Sequence, residues 1–171
     1  MDRIWAPWRG VYIDGTKPVE PGCIFCNSLS SQDDRKSLLV HRGHKAFVIM
    51  NLYPYNNGHV MVAPKRHIGD LELLADKEAF ELFKFLRLSM AAIRKAMESG
   101  PDGFNIGMNI GRVAGAGVPD HLHFHVVPRW NGDVNFMPVL AETRVISEHL
   151  DVTYEKLIKA FSEVVNSHAK D

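Results

Sequence analysis

The chain has 171 residues, of which 46% are hydrophobic and 23% charged, and this composition predicts one globular domain with its own core. Its 20 basic and 20 acidic residues give a formal net charge of zero, which argues against a nucleic-acid partner. The first residues lack the apolar core of a signal peptide, and no run approaches the roughly 18 apolar residues of a membrane span, so we expect a cytoplasmic protein without a membrane partner.

An N-terminal arm, residues 1–22, carries Trp5 and Trp8 and then a stretch rich in glycine and proline. We expect the two indoles to dock on the body or on a partner subunit, since burial of a large side chain gains about 1.5–3 kcal/mol. A Cys-x-x-Cys pair, Cys23 and Cys26, follows the arm. In a reducing compartment this spacing suggests a metal or redox pair rather than a structural disulfide, and a reduced, partly buried pair is the simpler alternative.

Three antiparallel strands are predicted after the cysteines. Residues 38–41 and 46–50 are apolar and flank a short polar turn, which is typical of a hairpin. Residues 53–58 are rich in turn formers, and residues 59–64 resume as a strand that ends at a proline.

A long helix is predicted from about Asp76 to residues 99–101, after a short helical turn over residues 68–74. Apolar side chains at spacings of three and four give this helix one apolar face, formed by Phe80, Phe83, Leu86, Met90, Ile93 and Met97. Further apolar residues broaden the stripe, at Leu82, Phe85 and Leu88. A subunit contact or a thick core would account for this surplus.

A row of histidines is the most unusual feature of the chain. Residues 103–110 predict a fourth strand, and the glycine-rich loop 111–117 leads from it into His121, His123 and His125, which alternate with apolar residues. Alternation of period two is typical of a strand, on which the three imidazoles would point the same way. A final helix is expected to start near Asp151 or Thr153.

Three uses of the histidine row are open from the spacing alone. A neutral imidazole is nucleophilic and can accept and pass on a phosphoryl or nucleotidyl group. Three histidines on one strand could instead hold zinc, or could decorate an exposed face. The glycine-rich loop favours the first use, because its backbone amides can approach a phosphate closely. The remaining histidines, which have no partner pattern, are expected at the surface or satisfied in the core; they are His41, His44, His59, His149 and His168.

Residues 121–127 match the signature of the histidine triad (HIT) family, His-φ-His-φ-His-φ-φ, where φ is apolar. Most of the chain resembles bacterial members, through the Cys-x-x-Cys pair, Gly58-His59 and residues 64–67 and 105–111. Residues 4–9, 127–130 and 135–138 resemble the branch that contains bacterial diadenosine tetraphosphate phosphorylases.

The resemblance implies catalysis through a covalent nucleotidyl-histidine. By similarity, His123 would attack the α-phosphate, His125 would bind the transferred phosphate, and His121 would support its position or ligate metal. Asn51 would hold the ribose hydroxyls. Asn109 and the backbone amides of Gly115, Ala116 and Gly117 would hold phosphate oxygens.

The resemblance also implies a structural zinc and no organic cofactor. In several bacterial relatives the zinc ligands correspond to Cys23, Cys26, His67 and His121. Two thiolates and two imidazoles form a closed tetrahedral set, which is typical of structural zinc. Such a set disfavours a catalytic metal on all three histidines of the row.

One departure from the family lies in the loop before the histidines. The common family loop runs Gly-Gln-Ser/Thr-Val-x-His, whereas this chain has Gly117 and Val118 where the Gln and Ser/Thr are usual, and its loop is one residue longer. Leaving-group assistance and the choice between water and phosphate as acceptor are therefore open.

Together these observations predict an α+β, HIT-like antiparallel sheet of about five strands with one long helix and a C-terminal helix. The HIT domain would span residues 23–140, with a C-terminal helical extension over 141–171. The expected activity is cleavage of a nucleoside 5′-phosphoric anhydride, with a diadenosine polyphosphate as the expected substrate. The expected assembly is a homodimer, and the expected ligands are purine nucleotides or dinucleoside polyphosphates. The alternatives are a nucleoside phosphoramidate hydrolase, a hydrolase with zinc on the three histidines, and a nucleotide-binding protein with little catalysis.

Overall fold

A computed structural model describes residues 22–133 and 146–168. Five strands form one antiparallel sheet in the order β1-β2-β3-β5-β4. Three helices pack on this sheet, and the predicted α+β fold is confirmed. The strands are β1 (Leu39–Arg42), β2 (Ala46–Met50), β3 (Val60–Pro64), β4 (Gly103–Gly107) and β5 (Phe124–Arg129). The helices are α1 (Ile24–Ser30), α2 (Asp76–Ala96) and α3 (Leu150–His168).

The alternation of side chains on β2 divides the core into two layers. Ala46, Val48 and Met50 lie in the larger core layer with α2 and α3. Phe47 and Ile49 point to the opposite face, where Phe25 of α1 covers them. Because every residue of β2 is buried, both faces of the sheet are covered along this strand.

The predicted apolar face of the long helix was partly wrong. Phe80 and Phe83 are 75% and 64% exposed, respectively. The helix packs against both the sheet and α3, and this two-sided contact turns its buried surface toward α3. The residues predicted as surplus are therefore core residues, namely Leu82, Phe85 and Leu88. The helix ends at Ala96, a few residues before the predicted stop.

The start of α2 is held by a buried carboxylate. Glu78 accepts a hydrogen bond from the Ala75 N–H at 2.9 Å, so it satisfies one of the free donors at the helix N-terminus. The Arg66 guanidinium pairs with the same carboxylate at 2.7 Å and is the main cause of the lowered pKa of Glu78. This ion pair anchors the segment after β3, which carries His67.

The C-terminal helix belongs to the same core as the long helix. Tyr154, Leu157 and Phe161 are buried against residues of α2 and the sheet. The arm with Trp5 and Trp8, and the predicted boundaries at 140 and 141, lie outside the described residues. Within residues 22–133 and 146–168, no helix is both long and apolar enough to cross a membrane.

Candidate active site and candidate metal centre

A cavity of about 460 Å³ opens on the face of the sheet that α1 covers. His123 and His125 line it, together with Asn51, Gly115 and Gly117 from the predicted substrate-binding residues. The other walls are mostly apolar or aromatic and come from Ile24, Phe25, Tyr53, Pro54, Tyr55, Met61, Val118 and Ile146. This size and lining suit a nucleoside with an attached phosphate.

The histidine row is only partly in a strand. Strand β5 begins at Phe124, so His121 and His123 precede it, in contrast to the prediction of a continuous strand. Sheet pairing with β3 ends at Phe124, and the Leu122 N–H two residues earlier donates to Ile68 O at 2.7 Å. Because the backbone leaves the sheet before Phe124, the His121 imidazole is separated from the other two.

His123 is oriented by the backbone of its own segment. Its Nδ1 lies 2.9 Å from the His121 carbonyl oxygen. A carbonyl oxygen only accepts, so Nδ1 carries the hydrogen and Nε2 keeps its lone pair. His123 is therefore in the tautomer that a nucleophilic Nε2 requires.

His125 is oriented by His59, a residue that was expected at the surface or satisfied in the core and was given no role in the site. The Tyr55 N–H donates to His59 Nδ1 at 3.1 Å, so the hydrogen of the His59 imidazole is on Nε2. That Nε2 lies 3.0 Å from His125 Nδ1 and donates to it. His125 consequently carries its own hydrogen on Nε2. The two neighbouring imidazoles, with ring centroids 5.0 Å apart, are thus held in opposite tautomers.

Burial keeps these imidazoles neutral. It is the largest cause of the lowered pKa of His59, about 3, and of His125, about 4, and nearby imidazoles lower both further. Burial also lowers the pKa of His123, and the hydrogen bond to the His121 carbonyl opposes this shift. The site therefore contains neutral imidazoles at pH 7, and a nucleophilic imidazole has to be neutral because it attacks through a nitrogen lone pair.

The buried His59 predicts a loss of stability in mild acid. Its pKa in the folded state is about 3, whereas an unfolded histidine titrates near 6.5, so the unfolded state binds more protons below pH 6.5. The stability is complete above about pH 6.5 and falls as the pH drops toward 3. A His59→Gln variant keeps an N–H donor near the Nε2 position without titrating. We expect its free energy of unfolding, measured by urea denaturation, to depend less on pH, by up to about 1.4 kcal/mol per pH unit.

Exposed His44 provides the matched control, as His44→Gln should leave the pH dependence as it is in the wild type. An unchanged pH dependence in His59→Gln would contradict the assignment of this proton uptake to His59.

The predicted substrate-binding residues outside the histidine row differ in the hydrogen bonds that they already make within the protein. The Asn51 amide oxygen accepts the Tyr53 N–H at 2.9 Å, which orients the amide at the cavity edge. Asn109 donates to Gly115 O at 3.3 Å, so it braces the glycine-rich loop. Within this loop, Gly115 N–H donates to Arg112 O and Ala116 N–H donates to Gly111 O. These two amides are engaged inside the loop, and Ala116 is buried.

A second cluster includes His121, which contacts Phe25 of the cavity wall. One ligand atom from each of Cys23, Cys26, His67 and His121 lies within 4.8 Å of all the others, so these four residues could hold a metal ion. His121 Nε2 donates to Pro64 O at 2.8 Å, which leaves the lone pair of Nδ1 facing the cysteines. The prediction that these four residues lie together therefore agrees with the structure.

Three sulfur–nitrogen distances in the cluster fit a tetrahedral zinc site. Zn–S and Zn–N bonds of about 2.3 and 2.0 Å at tetrahedral angles place S and N about 3.5 Å apart. The observed S···N distances are 3.3 Å for Cys23 to His121, 3.4 Å for Cys26 to His67 and 3.7 Å for Cys26 to His121. By contrast, the orientation of His121 away from His123 and His125 argues against one metal on all three histidines.

Phe25 connects the two sites. It lies between Cys23 and Cys26 in sequence and is fully buried. Its ring centroid is 5.0 Å from that of His121 and 4.8 Å from that of His123, and the ring also lines the cavity. A displacement of the Cys-x-x-Cys segment would therefore reach the candidate nucleophile through Phe25.

Sequence reasoning missed His59, Tyr55 and Phe25 as parts of the site. A signal for His59 was present, because β3 pairs with β5 and Met61 lies opposite His125. With alternation, His59 faces the same side as Met61 and so reaches the histidine row. Tyr55 and Phe25 carried no comparable signal, since both are brought to the imidazoles by loop and helix geometry.

Three comparisons with known proteins are consistent with this geometry. The HIT domain family matches residues 32–132. A protein of Mycobacterium tuberculosis named AP-4-A phosphorylase is 38% identical over 157 residues, which cover 88% of this chain and 79% of the relative.

Two further similarities are more distant. An adenosine 5′-monophosphoramidase of Schizosaccharomyces pombe is 28% identical over 109 residues, or 64% of this chain and 75% of the relative. The crystal structure of a hypothetical histidine triad nucleotide-binding protein from Sulfolobus tokodaii superposes with a TM-score of 0.64 at 29% identity. It covers 85% of this chain and 93% of that one.

Proposed function

The chain belongs to the HIT family as a nucleotide hydrolase or phosphorylase, and on this premise we propose that it cleaves dinucleoside polyphosphates through a covalent nucleotidyl-histidine. The observation that carries the proposal is the pair of neighbouring imidazoles in opposite tautomers, His123 with a free Nε2 lone pair and His125 with an Nε2–H. The 38% sequence identity to the mycobacterial AP-4-A phosphorylase supports diadenosine tetraphosphate as the substrate.

In the proposed first step, His123 Nε2 attacks the α-phosphorus. A P–N bond forms, the bond from phosphorus to the bridging oxygen breaks, and ATP leaves with that oxygen. The His125 Nε2–H donates to an oxygen of the transferred phosphate, where negative charge accumulates in the transition state. In the second step an acceptor attacks the same phosphorus and frees His123.

The nucleoside is proposed to occupy the apolar part of the cavity. Ile24 and Tyr53, which come from separate parts of the chain, both line this cavity. Asn51, which also lines it, would hold the ribose hydroxyls. For the phosphates we propose the backbone of Gly117, because this residue is exposed and lines the same cavity as the two imidazoles. Asn109 would act by bracing the loop through Gly115.

The products of diadenosine tetraphosphate, with and without inorganic phosphate, test the function. Nucleotidyl transfer from the α-phosphate gives ATP plus ADP when phosphate is the acceptor, and ATP plus AMP when water is. Either pair supports the proposal and identifies the acceptor. Two molecules of ADP, or no turnover, would contradict attack at the α-phosphorus of this substrate.

A second candidate is hydrolysis of nucleoside phosphoramidates. The similarity to the yeast monophosphoramidase favours it. A higher kcat/KM for adenosine 5′-phosphoramidate than for diadenosine tetraphosphate would select this candidate. Tight binding of AMP without turnover of either compound would instead select a binding protein with little catalysis.

We also propose that Cys23, Cys26, His67 and His121 hold a structural zinc ion. The support is the ligand spacing and the orientation of the His121 lone pair. When bound, the ion would supply a crosslink between α1 and the segment before β5, with all four positions filled by protein. The expected cytoplasmic location stays a prediction.

The proposed homodimer would form through the β4 edge of the sheet. Strand β4 is the last in the sheet order, and Ile106 on it is 41% exposed. Phe83 extends from α2 on the same side, in contact with Phe124 of β5 at 6.4 Å between ring centroids. Exposed edge strands and apolar patches of this kind are typical of subunit contacts. In sedimentation, the Phe83→Glu variant should behave as a smaller species than the wild type. The control variant Val152→Glu, at an exposed position of α3, should sediment as the wild type does.

A further inference from the structure

Tyr55 covers the two imidazoles that form the hydrogen-bond chain of the site. Its ring lies nearly parallel to that of His125, with centroids 5.6 Å apart and an interplanar angle of 27°. The same ring is 4.7 Å from that of His59. Tyr55 is 48% exposed, so it stands between these imidazoles and solvent at the cavity wall.

The backbone of Tyr55 acts on the same pair. Its N–H donates to His59 Nδ1, and this bond places the hydrogen of His59 on Nε2, from which it is donated to His125. One residue thus sets the tautomer of both rings through its amide and covers both through its side chain. A substitution at this position keeps the amide and changes the ring that covers the two imidazoles.

Two opposing effects of the phenol ring on His125 can be compared. An aromatic face attracts a cation, which would favour protonated His125 by about 0.5–1 kcal/mol at an exposed site. Removal from water disfavours the cation, and burial is the largest cause of the low pKa of His125. The titratable groups that face His125 are His59, Tyr55 and His123. Desolvation therefore dominates, and the cover keeps His125 neutral.

We propose that Tyr55 is a positioning residue of this active site: its ring fixes the plane of the His125 imidazole and keeps water from it, so that Nε2–H is presented to the transferred phosphate. The proposal rests on the proposed function, because that reaction gives the His125 donor its purpose. It adds a residue outside the histidine row to the residues on which the reaction depends.

The first test needs no substrate. Imidazole resonances of the free protein are titrated by NMR in wild type, Tyr55→Ala and Tyr55→Phe. Exposure of His125 in Tyr55→Ala should raise its pKa by about one unit or more toward the usual value near 6.5. Tyr55→Phe keeps the ring and should keep the wild-type pKa. A thermal melt verifies that both variants are folded.

The second test is kinetic and uses Tyr53→Ala as the matched variant. Tyr53 lines the same cavity, and the ring contacts from which the positioning role is inferred are those of Tyr55 with His59 and His125. Tyr55→Ala should lower kcat about tenfold with little change in KM, and should move the acidic limb of the pH profile to higher pH. Tyr55→Phe should restore most of kcat. Tyr53→Ala should act mainly on KM.

The outcomes separate this inference from the proposed function. An unchanged His125 pKa together with unchanged kcat in Tyr55→Ala would overturn the positioning role, and so would a Tyr55→Phe variant as defective as Tyr55→Ala. If the wild type turns over no dinucleoside polyphosphate, the proposed reaction fails. The NMR titration still decides whether Tyr55 controls His125.

Discussion

Replacement of His123 by asparagine is expected to lower kcat on diadenosine tetraphosphate by at least about 10³-fold. The variant loses the Nε2 lone pair and with it the covalent step. Its amide nitrogen occupies nearly the position of the histidine Nδ1 and can still donate to the His121 carbonyl oxygen, so the local structure should persist. Steady-state kinetics and a thermal melt measure the two effects separately.

The covalent step has a direct readout in the same variant. With substrate labelled at the α-phosphate, wild-type protein stopped in alkali should retain label, because a nucleotidyl-histidine is stable there. His123→Asn should retain none. The control is His44→Asn, an exposed histidine before β2, which should match the wild type in rate and labelling. Turnover of His123→Asn at the wild-type rate would refute the nucleophile assignment.

Replacement of Cys23 and Cys26 together by serine is expected to remove bound zinc and to lower the melting temperature by roughly 10 °C. Structural zinc sites couple metal affinity to folding, and a loss of about 4 kcal/mol corresponds to such a shift in a chain of this size. Activity should fall as well, since Phe25 between the two cysteines packs on His123. Elemental analysis and calorimetry give the zinc content and the melting temperature.

Ser28→Ala on the same helix is the control for a general effect of mutating α1, and it should keep both zinc and stability. A chelator should lower the melting temperature of the wild type and leave that of the double variant nearly unchanged. If the double variant keeps a full equivalent of zinc and full activity, the metal lies elsewhere, and a catalytic metal on the three histidines becomes the better hypothesis.

Local patterns in the chain were sufficient for much of the fold. Apolar runs bounded by turn formers predicted β2 and β3 within about one residue, and the spacing of apolar residues predicted the long helix. The orientation of that helix was not predictable, because residues of both its apolar stripes satisfy the same spacing. Only the packing of α3 decides that Phe85 is buried and Phe83 exposed.

The candidate site divides in the same way. The histidine row, the loop before it and the metal ligands could be predicted from short sequence motifs, because side-chain chemistry is a property of single residues. The division of labour among the histidines depends on hydrogen bonds between residues far apart in the chain. His121 turns to the cysteines near the N-terminus, and His125 receives its hydrogen bond from His59.

The sequence by itself determined which chemical groups are available: three alternating imidazoles, two thiols and a glycine-rich loop in an α+β domain. The tertiary structure alone decided which nitrogen of each imidazole carries its hydrogen, because that choice depends on the backbone groups that face it. Tyr55 N–H, His121 O and Pro64 O make this choice, and the nitrogen that each of them faces is set by the conformation of the folded chain.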